Sequence, residues 1–222
     1  MKNPTWSYSS IKLFETCAKK YHHLRVLKDY VEPEGEAARY GTEFHSAAEH
    51  YVRSGTALPE RFSFAEPVLR SLAALPGEKF CEQRLGLRED LTACDFFAPD
   101  VWWRGVIDLL VIDGTEAKVV DYKTGSNTKY ADKGQLELMA LAVFAHHPQV
   151  TVVKGGLLFV ICNAFLKETY TVDRSEELWA KWDAKYDRLL GAHLSGTWNP
   201  NPSGLCRRFC VVTECVHNGA NR

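Results

Sequence analysis

The sequence lacks a strong charge of either sign and any long apolar segment. Its 222 residues carry a formal net charge of −1, so the overall charge does not point to nucleic acid or to a membrane surface. No apolar run approaches the roughly 20 residues of a membrane-spanning helix, and the N-terminal segment has no signal-peptide core. Internal repeats are missing as well. These absences exclude a spanning helix and a repeat architecture, and we expect a cytoplasmic protein whose seven cysteines are reduced or metal-bound.

The length and composition are those of an ordinary folded protein. A hydrophobic content of 45% over 222 residues suits one domain with a full core, or a domain with a small additional lobe. The order of the predicted elements, with strands between helices, is typical of an α/β (α+β) fold. We therefore expect a mixed central β-sheet flanked by helices, in a single domain that spans residues 1–222.

Apolar spacing and turn-forming residues predict where these elements lie. Ser9 is a suitable N-cap for a first helix, whose apolar positions recur at helical spacing as far as Tyr21. The other helices are predicted at residues 38–53, 67–75, 133–146 and 175–194. The strands are predicted at residues 79–86, 101–112, 117–123, 150–162 and 165–172.

Two aspartates on a predicted hairpin are the clearest functional signal. With Gly114 and Thr115 as the turn residues, Asp108 lies opposite Asp121, and their Cβ atoms are expected roughly 5 Å apart. Opposed carboxylates inside apolar strands repel each other and lose hydration, which a divalent cation with oxygen ligands offsets. Lys123 lies on the same face as Asp121, where it can orient or deprotonate an attacking water. This arrangement is typical of metal-assisted phosphodiester hydrolysis.

The order Asp, hairpin, Asp-x-Lys resembles the core of the PD-(D/E)XK nuclease superfamily, with Ile107 in place of the usual proline. Gly41–His45 resembles the G-x-x-x-H element of its RecB-like and Cas4-like branch. Gln135–Leu138 resembles the helix after the Asp-x-Lys strand, although that branch usually has tyrosine where this chain has Met139. Ser7–Tyr21 and the closing cysteines also match. The resemblance covers nearly the whole chain and is that of a phage-type exonuclease.

This resemblance implies a restriction-endonuclease-like core and a DNA nuclease that depends on Mg²⁺ or Mn²⁺. It implies that His45 and the main-chain carbonyl of Tyr122 bind the metal together with the two aspartates. Lys123 is expected to position the water or to stabilise charge that develops on the phosphate, and a simple salt bridge to one of the aspartates is the alternative. Glu82 is an accessory candidate for a second metal or water, and Gln135 for contact with the DNA backbone. A plain surface charge and a surface amide remain the alternatives for these two residues.

Four cysteines form a second group of candidate ligands. One lies near the start of the chain and three follow one another in an irregular tail: Cys17, Cys206, Cys210 and Cys215. They resemble the iron–sulfur clip of Cas4-like and AddB-like nucleases, which implies a [4Fe–4S] cluster. Such a cluster is expected to join residues 1–30 and 195–222 into one cysteine-clipped lobe.

Zinc is the alternative occupant, because four thiolates suit either metal and the tail spacing departs from the usual C-x2-C form. His217 is then a possible substitute ligand. The remaining cysteines are expected to be ordinary buried thiols: Cys81, Cys94 and Cys162.

Basic residues beside the four cysteines predict a weak DNA-binding surface, with a solvated helix face as the alternative. They are Lys19, Lys20, Arg25, Arg207 and Arg208. The expected partner is DNA, either single-stranded or at duplex ends, in a prokaryotic or phage-infected cell. Recombination or CRISPR-adaptation proteins and self-association are further candidate partners, whereas no membrane partner is expected.

Two functions of other classes stay open. The first is a catalytically inactive DNA-binding module, against which the complete set of His45, Asp108, Asp121 and Lys123 argues. The second is a zinc-stabilised interaction domain, in which the tail cysteines matter and the aspartates do not.

Overall fold

The computed structural model describes residues 3–221, which form two compact units. The first unit takes the chain up to Glu34 and again from Ala180 onward, and the second is Gly35–Trp179. Among the described helices, none combines the length and the apolar character needed to cross a membrane.

The second unit contains a mixed six-stranded sheet, which confirms the predicted α/β (α+β) class. The strands, in chain order, are β1 (Glu78–Leu87), β2 (Ala93–Cys94), β3 (Trp103–Asp113), β4 (Glu116–Lys123), β5 (Val152–Phe159) and β6 (Ala164–Thr171). Their spatial order is β2-β1-β3-β4-β5-β6. Only the β4–β5 pairing is parallel, since these strands are joined by a crossover helix, and the other pairings are antiparallel.

The β3–β4 hairpin has the predicted register over its paired length. Asp113 pairs with Glu116 around the two turn residues, and the ladder continues to Leu109 opposite Val120. Gly114 has a φ of +61°, which a residue without a side chain adopts at low cost. The ladder ends one step before Asp108, so the two strands separate where the aspartates lie.

Helices cover both faces of the sheet. On one face, α3 (Glu36–Ser54) and α4 (Glu66–Ala73) pack through residues such as Phe44 and Leu69 onto a core that includes Val120 and Tyr122. On the other face, Leu136 of α5 (Gly134–His146) lies against Gly155 of β5. The apolar run of α5 is buried from Leu138 to Phe144, as expected for the crossover helix of a parallel pair.

The first unit combines the N-terminal helices with the end of α6 (Ser175–Ser195) and the tail. Its helices α1 (Tyr8–Thr16) and α2 (Ala18–Tyr21) are followed by one π-helical turn, His22–Leu27. Trp6 stacks on Trp182 with ring centroids 6.3 Å apart, and Tyr21 stacks on Trp198 at 5.9 Å. Aromatic contacts therefore hold the two ends of the chain together within this unit.

Several boundaries differ from the sequence predictions. The N-cap of α1 is Ser7 rather than Ser9, because the Ser7 hydroxyl accepts a hydrogen bond from the Ser10 amide and the Ser10 hydroxyl is in turn bound to the Ser7 backbone. The predicted continuous helix breaks at Cys17, whose backbone is extended. The strand predicted at 150–162 ends at Phe159, and the two-residue strand β2 was not predicted.

Candidate functional site

The two predicted aspartates lie at the point where β3 and β4 separate. Asp108 is 8% exposed and Asp121 is 2% exposed. Asp108 does not face Asp121 in a regular ladder pair, because its Oδ2 accepts a hydrogen bond of 2.6 Å from the Tyr122 amide. This bond satisfies a backbone donor that the open end of the hairpin leaves free. It also fixes one carboxylate against the other strand.

Asp121 is a buried carboxylate with little compensation from its surroundings. Its Oδ2 makes no hydrogen bond of regular geometry with any described residue, and its close neighbour is Lys123 Nζ, an ion pair at 2.5 Å. Burial, followed by the negative charge of Asp108, raises the pKa of Asp121 to about 6, although Lys123 acts in the opposite direction. Asp121 Oδ2 is thus a buried acceptor with a lysine ammonium group as its close neighbour. Such an acceptor has spare capacity that a metal ion can use.

His45 on α3 lies within contact distance of two other predicted ligands, the Tyr122 carbonyl and Asp108. Its Nε2 lies 3.0 Å from the carbonyl oxygen of Tyr122, and its Nδ1 lies 3.3 Å from Asp108 Oδ1. Burial by itself lowers the pKa of His45, but the hydrogen bond and charge of Asp108, with Asp121 and Glu82 behind it, raise it overall. Gly41, one helical turn earlier, faces the residue after β4, where a Cβ would make a contact of 3.4 Å with the Thr124 hydroxyl.

Glu82, which the sequence offered as an accessory candidate, lies close to His45 and Asp108. One ligand atom each from His45, Glu82 and Asp108 lies within 4.8 Å of the others. Asp121 is not a member of that group of described residues. Burial, and then the charge of Asp108, raises the pKa of Glu82. Its φ of +52° inside β1 is a strained conformation for a residue with a side chain, which turns the carboxylate toward the site.

These donors fit a hard divalent cation. They consist of three carboxylates, one main-chain carbonyl and one imidazole, and two of them, His45 and Glu82, line a cleft of about 660 Å³. Oxygen donors of this kind suit Mg²⁺ and Mn²⁺. The poorly satisfied Oδ2 of Asp121 and the close approach of Asp108 to His45 both show excess acceptor capacity that a cation neutralises.

Gln135, at the start of α5, contacts the predicted catalytic lysine. Its Oε1 accepts a hydrogen bond of 3.0 Å from Lys123 Nζ. Lys123 is therefore held between the carboxylate of Asp121 and the amide of Gln135. Sequence reasoning assigned Gln135 to the DNA backbone, and no sequence signal pointed to this contact with Lys123, because it depends on where α5 begins.

The four predicted cysteine ligands line one small pocket of the first unit: Cys17, Cys206, Cys210 and Cys215. Backbone amides point at two of the sulfurs, with Lys20 N and Asn201 N each 3.4 Å from Cys17 Sγ, and Ser203 N 3.3 Å from Cys206 Sγ. Such N–H···S bonds stabilise thiolates. His217 lines the same pocket.

The separation of these thiols bears on the choice of metal. A mononuclear zinc tetrahedron with Zn–S bonds of about 2.3 Å holds its sulfurs roughly 3.8 Å apart. Within residues 3–221, no three cysteine or histidine ligand atoms in this pocket lie within 4.8 Å of one another. The described thiols are therefore not arranged as a preformed zinc tetrahedron. Of the other cysteines, Cys81 and Cys94 are buried as predicted, whereas Cys162 is exposed because it lies in the turn after β5.

The predicted basic surface is partly neutralised. Lys20 forms an ion pair of 2.5 Å with Glu32, and Lys19 lies 3.8 Å from Glu214. The three predicted arginines are exposed: Arg25, Arg207 and Arg208. The carboxylate partners reduce the charge that the two lysines offer to a polyanion, so the arginines are the stronger candidates.

A buried histidine in the same unit was not predicted. His23 lies between two carboxylates, with Nδ1 3.1 Å from Asp29 Oδ1 and Nε2 3.2 Å from Glu214 Oε1. It therefore ties the N-terminal segment to the tail next to Cys215. Sequence alone gave no signal for it, because the two carboxylates are far apart in the chain.

A family model and one solved structure agree with this fold. A family model described as the PD-(D/E)XK nuclease superfamily matches residues 5–215. The crystal structure of a "putative exonuclease" from Eubacterium rectale has a TM-score of 0.55 at 12% identity, over 98% of this chain and 88% of that chain. The structure of SSO0001 has a TM-score of 0.47 at 14% identity, over 96% and 86% of the two chains. No curated protein matches the sequence.

Proposed function

Because this chain belongs to the PD-(D/E)XK nuclease superfamily, we propose that it is a divalent-metal-dependent nuclease that hydrolyses DNA, at ends or on single strands. The observation that carries this proposal is the buried carboxylate of Asp121, whose Oδ2 has no regular hydrogen bond and only the ammonium group of Lys123 beside it. A carboxylate in this state destabilises the fold unless a cation binds it. Structural residues are seldom kept in such an arrangement.

The metal site consists of His45, Asp108, Asp121 and the Tyr122 carbonyl, with Glu82 as an additional carboxylate. When bound, Mg²⁺ or Mn²⁺ supplies Lewis-acid activation of the scissile phosphate and of the attacking water. The protein keeps these ligands in place through the hydrogen bond from the Tyr122 amide to Asp108. The buried Tyr122 side chain, packed edge-on against Phe44, fixes the position of the carbonyl.

Lys123 supplies a positive charge next to the reacting phosphate. Its Nζ, held by Asp121 and Gln135, donates hydrogen bonds to the water or to a phosphate oxygen. It thereby stabilises the charge that develops on the phosphorane. Gln135 Oε1 accepts a hydrogen bond from one N–H of Nζ, and Asp121 Oδ2 lies beside the same ammonium group, so the direction of the remaining N–H donor is restricted.

We also propose that the four clustered cysteines hold a [4Fe–4S] cluster, with zinc as the alternative metal. The shared pocket and the amide hydrogen bonds to two sulfurs support a metal centre at these cysteines. Its role is structural, because it would join the N-terminal segment to the tail and so limit the freedom of the unfolded chain. Recombination, replication or CRISPR-type DNA processing in the cytoplasm of a prokaryotic or phage-infected cell is the setting we propose.

A cleavage assay tests the proposed function. Purified protein is incubated with labelled single-stranded and duplex DNA in Mg²⁺, Mn²⁺, Ca²⁺ or EDTA. We expect cleavage in Mg²⁺ or Mn²⁺, little in Ca²⁺ because its coordination is looser, and none in EDTA. Asp108→Ala and Lys123→Ala should abolish cleavage, whereas Asp113→Asn, which replaces an exposed carboxylate in the same hairpin, should not.

The same assay separates the alternatives. Metal-independent binding without cleavage by the unmodified protein would identify an inactive DNA-binding module. Failure both to bind and to cleave, together with stoichiometric zinc, would identify an interaction domain. Wild-type rates in Asp108→Ala would refute the assignment of the active site.

A further inference from the structure

Two arginines project from the same face of β1 and β3, next to the metal-binding residues. Arg104 pairs through its strand with Gly86, and Arg84 lies two residues before Gly86. They are therefore diagonal neighbours on one face of the sheet, about 7–8 Å apart. Like charges at this distance repel each other, so the position requires compensation.

The loop before β3 brings two phenylalanines against these guanidinium groups. Arg84 Cζ lies 5.8 Å from the ring centroid of Phe96 and 5.7 Å from that of Phe97. Arg104 Cζ lies 5.4 and 6.0 Å from the same two rings. We refer to these four residues as the arginine–phenylalanine cluster. Cation–π contacts of this kind orient a guanidinium group without neutralising its charge.

The packing of the loop onto β1 depends on Gly86. A Cβ at this position would lie 2.9 Å from the carbonyl oxygen of Asp95, so only a glycine lets the loop approach this closely. Asp95 Oδ1 accepts a hydrogen bond of 2.7 Å from the Phe97 amide nitrogen. This neighbouring acidic side chain is thus used to shape the loop and forms no ion pair with either arginine.

Neither guanidinium group of the cluster forms an ion pair within the described part of the chain. Among residues 3–221, no carboxylate forms an ion pair with Arg84 or Arg104, and the buried Nε of Arg104 has no hydrogen-bond partner. In contrast, Arg70 and Arg174 on helical surfaces are paired with Glu66 and Glu177. Two adjacent unpaired guanidinium groups form a site for an anion, and phosphate is the anion that their planar donors fit.

The cluster adjoins the metal site. Arg84 lines the same cleft as His45 and Glu82, and it lies two residues along β1 from Glu82, about 7 Å at the rise of a strand. A phosphodiester chain that reaches the metal ligands through this cleft therefore passes Arg84, with Arg104 as its diagonal neighbour on the sheet. Phe97 is 66% exposed at the edge of this surface, where it offers one open ring face.

We propose that the arginine–phenylalanine cluster is a binding site for single-stranded DNA that feeds the metal site. This inference rests on the proposed nuclease function and specifies its substrate. Arg84 and Arg104 bind backbone phosphates, and Phe97 stacks on an unpaired base. This stacking makes the site prefer single-stranded DNA over duplex DNA, because bases inside a duplex already stack on each other and present no free face to a side chain.

Binding measurements without hydrolysis test this site. Fluorescence anisotropy in EDTA uses a labelled oligothymidylate of about 20 nucleotides, several times longer than the stretch that one such surface contacts, and a blunt duplex of equal length. Phe97→Ala should weaken binding of the single strand roughly tenfold, as expected when one base no longer stacks, and leave the duplex unchanged. Arg84→Gln should reduce the slope of log K against log salt by about 0.7 for each phosphate that the variant no longer binds.

Two control variants make the result specific. Arg70→Gln removes a surface charge of the same kind and should leave affinity and slope unchanged, while Arg84→Lys should restore the slope but only part of the affinity. Circular dichroism checks that each variant is folded. Arg84 and Phe97 are both exposed, so their replacement leaves the core intact.

The outcomes separate this inference from the proposed function. If the unmodified protein cleaves DNA in Mn²⁺ but Arg84→Gln and Phe97→Ala bind the single strand as it does, the cluster assignment is wrong and the nuclease assignment stands. If Phe97→Ala weakens single strand and duplex equally, or if the unmodified protein does not bind the single strand, the cluster assignment is also wrong. If the predicted binding changes occur in a protein that does not cleave, the nuclease assignment alone fails.

Discussion

Replacement of Asp121 by asparagine should make the metal-free protein more stable while abolishing its activity. Burial raises the pKa of this carboxyl from 3.8 to about 6. Each pKa unit corresponds to about 1.4 kcal/mol, so ionised Asp121 destabilises the fold by about 3 kcal/mol at neutral pH. Asparagine has the same shape without the charge. The pKa of about 6 already includes the opposing effect of Lys123, so the cost that remains is that of burying an amide donor where the carboxylate was, about 1 kcal/mol.

The net gain for Asp121→Asn at pH 7.5 in EDTA is therefore about 2 kcal/mol. For a chain of this length, that corresponds to a rise in Tm of roughly 4–8 °C, which differential scanning calorimetry resolves. The gain should depend on pH in a defined direction. A carboxyl whose folded pKa lies above its unfolded value destabilises the fold fully above pH 6, and progressively less as the pH falls toward 3.8, where both states are protonated. The advantage of Asp121→Asn over the unmodified protein should shrink accordingly.

Metal ions should reverse the order of stability. A ligand at one hundred times its dissociation constant stabilises the folded state by about 2.7 kcal/mol, and only the unmodified protein keeps the full ligand set. Asp113→Asn in the same hairpin is the control and should change neither Tm nor its metal dependence. Equal or lower stability of Asp121→Asn in EDTA at pH 7.5, or an equal rise of both proteins in Mn²⁺, would refute the reasoning.

Three further predictions concern the residues around the site and the cysteine pocket. His45→Ala should weaken Mn²⁺ binding measured by calorimetry while leaving the fold intact, because the imidazole contacts both Asp108 and the Tyr122 carbonyl; unchanged affinity would remove His45 from the ligand set. Gln135→Ala should lower kcat with little change in KM, since it frees Lys123 Nζ from its hydrogen bond, and Gln135→Glu, which keeps an acceptor, should retain more activity. Metal analysis of anaerobically purified protein should find about four irons per chain. Cys17→Ser should strongly lower both the iron content and the Tm, whereas Cys94→Ser should change neither. Absence of both iron and zinc from undamaged protein would contradict the cysteine centre.

The sequence determined the hairpin and the order of the elements. Local rules suffice there: the Asp-Gly-Thr turn fixes the register, strand alternation puts Asp121 and Lys123 on one face, and apolar runs mark the strands and α5. The PD-(D/E)XK resemblance followed from these short-range patterns. Helix starts were less well determined, because Ser7, Ser9 and Ser10 are all suitable caps, and the reciprocal hydrogen bonds between Ser7 and Ser10 select Ser7.

Tertiary structure decided how the site residues meet. The separation of β3 and β4 turned the opposed aspartates into one carboxylate bound to the Tyr122 amide and one with only Lys123 beside it. The strained backbone of Glu82 brought its carboxylate next to His45. No local pattern encodes these contacts, since each depends on where a residue of another element comes to lie. The same holds for Arg84 and Arg104, which look like ordinary surface charges in the sequence. Strand pairing and the loop over Gly86 place them side by side, and neither has an ion-pair partner among residues 3–221.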